Sequence, residues 1–184
     1  MSIIRFTTAQ DVFTAFPTAH HDIKAYPAEQ TTLDFLDELV VKGQLREAVA
    51  YCAYLLPRRE AVWWACLCIR HADAAGSPEE VAALEAAEAW VHDPAEEPRQ
   101  ATMAAGMRGD RNCAATWAAL AAAWSGGNFF ASDKSFAHPP RPATAKCVLG
   151  AVMYAAGWKS KAAQEKNLRD FVQLCKGLVE EGGT

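Results

Sequence analysis

The sequence predicts an all-α, single domain of about seven or eight helices, packed as antiparallel hairpins around a buried central helix. Apolar residues recur at three- and four-residue spacing along most of the chain. Helix start and stop signals return every roughly 15 to 20 residues, the rhythm of stacked helical hairpins. No stretch alternates apolar and polar residues for long enough to make a convincing strand. The length of 184 residues fits one domain, since domains run to roughly 100 to 200 residues.

Residues 1–30 are predicted to be an irregular N-terminal segment with one short helix. Thr7 or Thr8 caps that helix, Val12, Phe13 and Phe16 line one side, and Pro17 ends it. His20, His21 and Pro27 lie in the loop that follows. The helical domain then occupies 31–184. Thr31 or Thr32 caps a helix whose buried face is Leu33, Leu36, Leu39 and Val40, closing at Gly43. Leu45, Ala48, Val49, Cys52, Leu55 and Leu56 continue a helical stripe. Pro57 forces Leu56 out of the helical region, so the chain turns there and a short antiparallel hairpin follows.

The predicted central helix runs from about Pro57 to Ala75 and ends at Gly76. Ala61 to Ile69 are apolar with no polar face, which calls for neighbours on every side. Ser77-Pro78-Glu79-Glu80 opens the next helix with a capping-box spacing and proline at its first position, and Leu84, Ala87, Trp90 and Val91 form its face. Asp93-Pro94-Ala95-Glu96 repeats that cap logic for a helix to about Met107. Asp110 starts an Ala-rich helix in which Ala114, Trp117, Ala118, Ala121 and Trp124 recur, with small residues that permit close helix contact.

Helical patterning stops over 125–142, a long loop of the kind that tends to be functional or mobile. Thr144 opens a helix through Val148, Val152 and Ala155 that should stop at Gly157, with Trp158 folding back in a Schellman-type contact. Ser160 caps the last helix. Its stripe is Leu168, Phe171, Val172, Cys175, Leu178 and Val179, with Lys159, Lys161, Lys166 and Arg169 on the solvent side.

Composition narrows the function classes. With 51% hydrophobic and 22% charged residues the balance is that of an ordinary globular protein. A net charge of -4 argues against nucleic acid as partner, because a phosphate backbone calls for clustered Lys and Arg. No stretch approaches the roughly 18 to 20 apolar residues of a spanning helix, so no membrane partner is expected. The N-terminus shows no basic region followed by an apolar run, hence no visible signal peptide. Six cysteines inside apolar helical stretches read as free thiols, and the expected localisation is cytoplasmic.

Few residues offer chemistry. Cys66 and Cys68, two apart on a helix, diverge by about 200° and do not make a metal or redox pair. The histidines are scattered, and every cysteine lies on a packing face, where nothing would activate a thiolate. Gly126-Gly127 does not follow a strand and lacks the context of a phosphate loop. The carboxylates Asp34, Asp37, Glu38, Glu79, Glu80, Glu85 and Glu88 read as solvated helix faces or caps. Pro139-Pro140-Arg141-Pro142 matches a bare PxxP spacing, readable as a stiff ligand or as a rigid tether. No catalytic set, metal site or cofactor is predicted.

Arg58, Arg59 and Glu60 are the strongest polar constellation. Two cations at a helix N-terminus oppose the backbone dipole and need partners. Asp34, Asp37, Glu38 or a helix-end carbonyl would make them a structural clasp between hairpins. Alternatively they join the long loop as a docking or anion-binding surface, with Phe129, Phe130 and Arg141 as further candidates; Phe129, Phe130 and Phe136 are either anchors folded onto the core or partly exposed contacts.

The block Leu55-Leu56-Pro57-Arg58-Arg59-Glu60-Ala61-Val62-Trp63-Trp64-Ala65-Cys66, with Trp124-Ser125-Gly126-Gly127 and the prolines up to Pro142, resembles an uncharacterised bacterial family of small helical proteins. That family is associated with type VI secretion gene neighbourhoods. The likeness covers most of the chain after about residue 30. It departs after the double glycine, where Asn128-Phe129-Phe130 replaces serine, alanine and prolines. The resemblance implies no enzymatic activity and no catalytic residues. The absence of a catalytic set and the long aromatic loop beside an arginine pair point to a noncatalytic protein-protein interaction module, an adaptor, chaperone or accessory factor whose partner is a secretion component or effector. The alternative is a small-ligand or anion-binding protein, or an enzyme, with a site near Arg58, Arg59, Trp63 and the loop. A third reading is an immunity protein that blocks a toxin with an acidic face.

Overall fold

A computed structural model describes residues 3–130 and 136–181, with the side chain of Glu181 outside the description. The described residues form nine α-helices and one 3-10 helix, against an expected seven or eight, and no strand beyond an isolated bridge between Thr8 and Thr31. The chain is all-α, with one continuous hydrophobic core.

The helices are α1 (Ala9–Ala15), α2 (Thr32–Val41), α3 (Leu45–Leu55), α4 (Arg58–Ala72), α5 (Pro78–His92), α6 (Glu96–Arg108), α7 (Ala114–Ala123), α8 (Ala143–Gly157) and α9 (Lys161–Glu181), with the 3-10 turn at Pro17–His21. Local chemistry sets many of their starts. The Thr8 hydroxyl accepts from Asp11 N–H while the Asp11 carboxylate accepts from Thr8 N–H, and Ser77 and Glu80 do the same at α5. Thr31 accepts from Asp34 N–H, and Ser160 from Ala163 N–H.

Two starts, one end and one capping contact differ from the sequence reading. Asp93 closes α5 and does not cap α6, which begins from Ala95 without a side-chain cap. Asp110 takes the N–H of Asn112 in a local turn, and α7 starts only at Ala114. Helix α4 stops at Ala72, short of Gly76, because Asp73 adopts a left-handed φ of 53° and Ala74 N–H reaches back to Ile69. Gly43, with φ 72°, ends α2 by the same 6→1 geometry, through Gln44 N–H to Leu39. At α8 the expected Schellman turn is absent. The helix ends at Gly157 as expected, but Trp158 is exposed.

The predicted central helix α4 packs against α5, α7, α8 and α9. Its Trp64 is fully buried and donates its indole N–H to Phe171 O of α9 at 2.8 Å. Trp63 and Leu67 are only half-buried, so the stretch 61–69 is not wrapped on every side. The more enclosed element is α7, in which every residue but Trp117 is buried. Alanine makes this possible by letting neighbouring backbones approach. On α6, a Cβ added at Gly106 would lie 2.8 Å from Leu120. On α2 the fully buried residues are Phe35, Leu36 and Leu39, while Leu33 and Val40 lie half-buried at the rim. The N-terminal segment joins the core through Val12, Phe13, Ala19 and Ile23.

Candidate functional site

Arg58 and Arg59 are neighbours on α4, about 100° apart around the helix axis, and they serve different places. Arg59 Nε donates to Val91 O at 2.6 Å, in the last turn of α5, where a cation complements the dipole. Arg59 and Glu60 line a shallow groove with Ile3, Trp63, His92 and Leu178. Arg58 turns the other way and donates through Nη1 to Ser125 O at 2.6 Å, just beyond the end of α7. Both arginines therefore hold helix-end carbonyls. The carboxylates considered as their partners are engaged elsewhere: Asp37 with Lys176, Glu38 with Lys42 and Gln30, and Asp34 with Thr31.

Beside Arg58 lies a cleft of about 350 Å³. Arg5, Arg58 and Arg141 converge on it, with Phe16, Tyr54, Leu56, Pro57 and Thr144 among its other walls, and among the described residues no carboxylate lines it. Partial burial first, and then the charges of Arg5 and Arg141, pull the Arg58 pKa below its ordinary value. Helices α4 and α8 both begin at this cleft, from Pro57 and Pro142, without a side-chain cap. Their first-turn N–H groups add positive potential to the guanidinium charges.

The lining hydroxyls are already committed. Tyr54 donates its OH to Asp22 at 2.6 Å, and burial, then that bond, raises its pKa. Thr144 donates to Trp124 O at 3.2 Å. Among the described residues the lining holds no histidine, cysteine or carboxylate that would act as base or nucleophile. The described lining is therefore three guanidiniums, two committed hydroxyls and apolar side chains.

The 125–142 loop is rooted at this cleft. Arg58 holds Ser125, and Arg99, 5% exposed, donates Nη1 to Ala123 O at 2.7 Å while pairing with Glu96. Gly127 adopts φ 64° against Arg99, where a Cβ would come within 2.6 Å of the guanidinium. Farther out the loop is pinched shut by Phe129 N–H to Ala137 O at 2.7 Å and by Asn128 Oδ1, which accepts from Phe130 and Ala137 N–H. Residues 131–135 lie outside the described residues. Phe129 is half-buried against Trp124, with ring centroids 4.9 Å apart. Phe130 is 47% exposed and Phe136 68% exposed.

The structure thus brings Arg58, Arg141 and the loop root together, and sends Arg59 and Glu60 to a separate groove. It adds two residues that the sequence reading missed. Arg99 shares a helical stripe with Thr102, Met103 and Gly106, a spacing that marks it as facing inward. Arg5 has no comparable local signal, since only the fold carries the N-terminal segment to α4 and α8.

All six cysteines are free and buried. Burial pushes the Cys147 thiol up to about 12 and raises Cys52, Cys66 and Cys68 as well, so none of these four is a thiolate near neutral pH. Among the described residues no group of three or more His, Cys, Asp or Glu is placed to hold a metal ion, and no helix is long and apolar enough to cross a membrane.

The model of one protein family, described as a family of unknown function (DUF6931), matches residues 35–178, from within α2 to near the end of α9. No curated protein and no solved structure matches the chain.

Proposed function

The chain belongs to DUF6931, and we propose that it is a noncatalytic interaction module, an adaptor, chaperone or accessory factor that docks a protein partner through its 125–142 loop. The observation that carries this reading is the exposure of Phe130 and Phe136 on a loop whose root is fixed by Arg58 and Arg99. Large aromatics held out on a rigid base are the common anchors of protein interfaces, because they bury much area for little lost entropy.

Type VI secretion is the proposed setting, and its support is associational. The Leu-Pro-Arg-Arg-Glu-Ala-Val-Trp-Trp-Ala-Cys block resembles proteins associated with those gene neighbourhoods. A bacterial cytoplasmic location belongs to the same proposal.

Co-purification from the native host tests it. The chain is expected to retain a secretion component or effector, and Phe130→Ala with Phe136→Ala is expected to reduce that recovery at least tenfold. Equal recovery by both forms, or recovery of neither class of partner, counts against the reading.

A further inference from the structure

We propose that the cleft between the N-termini of α4 and α8 is a binding site for a phosphate monoester, held by Arg5, Arg58 and Arg141. The chain carries a net charge of -4, yet three guanidiniums meet in one concavity whose lining, among the described residues, contains no carboxylate. Among the described residues Arg5 and Arg141 make no ion pair or hydrogen bond, and Arg58 spends only one N–H, on Ser125 O. Asp22, the carboxylate that Tyr54 bonds, is paired with Lys146 and does not line the cleft. Three like charges brought together without a counter-charge repel one another, and a bound anion removes that cost.

Charge and shape select the anion. A carboxylate offers one negative charge and two oxygens. A phosphate monoester offers roughly -1.5 to -2 and three acceptor oxygens, the better match to three arginine forks. The first-turn N–H groups of α4, and those of Thr144 and Ala145 in α8, favour the same group. Phe16, Leu56 and Pro57 supply an apolar wall for the organic part of the ester. At about 350 Å³ the cleft is near the lower end of the usual range for ligand pockets, which suits one small body and not a dinucleotide.

The test is titration calorimetry on the full chain with phenyl phosphate, inorganic phosphate and benzoate. Phenyl phosphate is expected to bind saturably at one site, more tightly than inorganic phosphate and at least tenfold more tightly than benzoate. Arg141→Gln and Arg5→Gln, which break no described bond, are each expected to weaken phenyl phosphate about tenfold to a hundredfold, the range for losing a charged hydrogen bond. Arg59→Gln, in the separate groove, should leave its affinity unchanged. No saturable binding overturns the site, as does equal weakening by Arg59→Gln and Arg141→Gln. The loop variant with Phe130→Ala and Phe136→Ala should bind phenyl phosphate normally. Failure of the docking proposal and failure of this one are therefore separable.

Discussion

Two arginines hold the root of the same loop, and their surroundings make them different devices. Arg99 is buried, is paired with Glu96 across one turn of α6, and gives Nη1 to Ala123 O. Arg58 is exposed, has no carboxylate beside it among the described residues, and gives Nη1 to Ser125 O with Arg5 and Arg141 close by. The bond to a carbonyl is common to both. What differs is whether the remaining charge is answered from within the chain. Where it is, the arginine belongs to the architecture; where no described residue answers it, the charge is open to the anion proposed above.

The contrast sharpens into measurements, beginning with the largest effect. Arg99→Leu strips Ala123 O of its partner and leaves a poorly filled site, so unfolding in urea should show a loss of about 2–4 kcal/mol. Gly127→Ala comes next, because it forces a left-handed residue to carry a Cβ that clashes with the Arg99 guanidinium, and should cost about 1–3 kcal/mol by the same measurement. Arg58→Gln should cost under about 1 kcal/mol, as exposed charged contacts generally do. It should nonetheless speed hydrogen exchange at the amides of 125–130. Equal losses at Arg58 and Arg99 would break the distinction.

The smallest effect is a dependence on pH. Hydrogen bonds from Arg99 first, and from Gln100 next, hold the Glu96 carboxyl down to about 2. A carboxylate depressed in the folded state stabilises above its unfolded pKa of about 4.3, and that contribution fades as pH falls through the folded value. Wild type should therefore exceed Glu96→Gln in stability at neutral pH, and the gap should close between about pH 4.5 and 2. Glu96 is 61% exposed, so solvent screening keeps the gap under about 1 kcal/mol. Urea unfolding of both forms across this range gives the curve. A gap that widens on acidification would contradict the ion pair.

The same division between local and distant causes runs through what could be read without coordinates. The caps at Thr8, Thr31, Ser77 and Ser160 were legible because donor and acceptor lie within four residues. Asp93 and Asp110 carry the same signal and fail to cap, the first because it closes α5, the second because a turn through Asn112 intervenes. Arg58 and Arg141 stood out as candidates, but pairing Arg58 with Arg59 overlooked their 100° separation around the helix. The inward face of Arg99 was present in the spacing of Arg99, Thr102, Met103 and Gly106.

By itself the sequence determined the helical class, most element boundaries and the Ala-rich helix that allows close packing, since each follows from hydrophobic period, capping chemistry or side-chain size over a few residues. Tertiary structure alone decided that α7 is more enclosed than α4, that Arg59 and Glu60 leave the site, and that Arg5 joins Arg141 beside Arg58. Residues 5, 58 and 141 lie on three distant segments. No local interaction encodes their meeting, and only burial of the faces between them sets it.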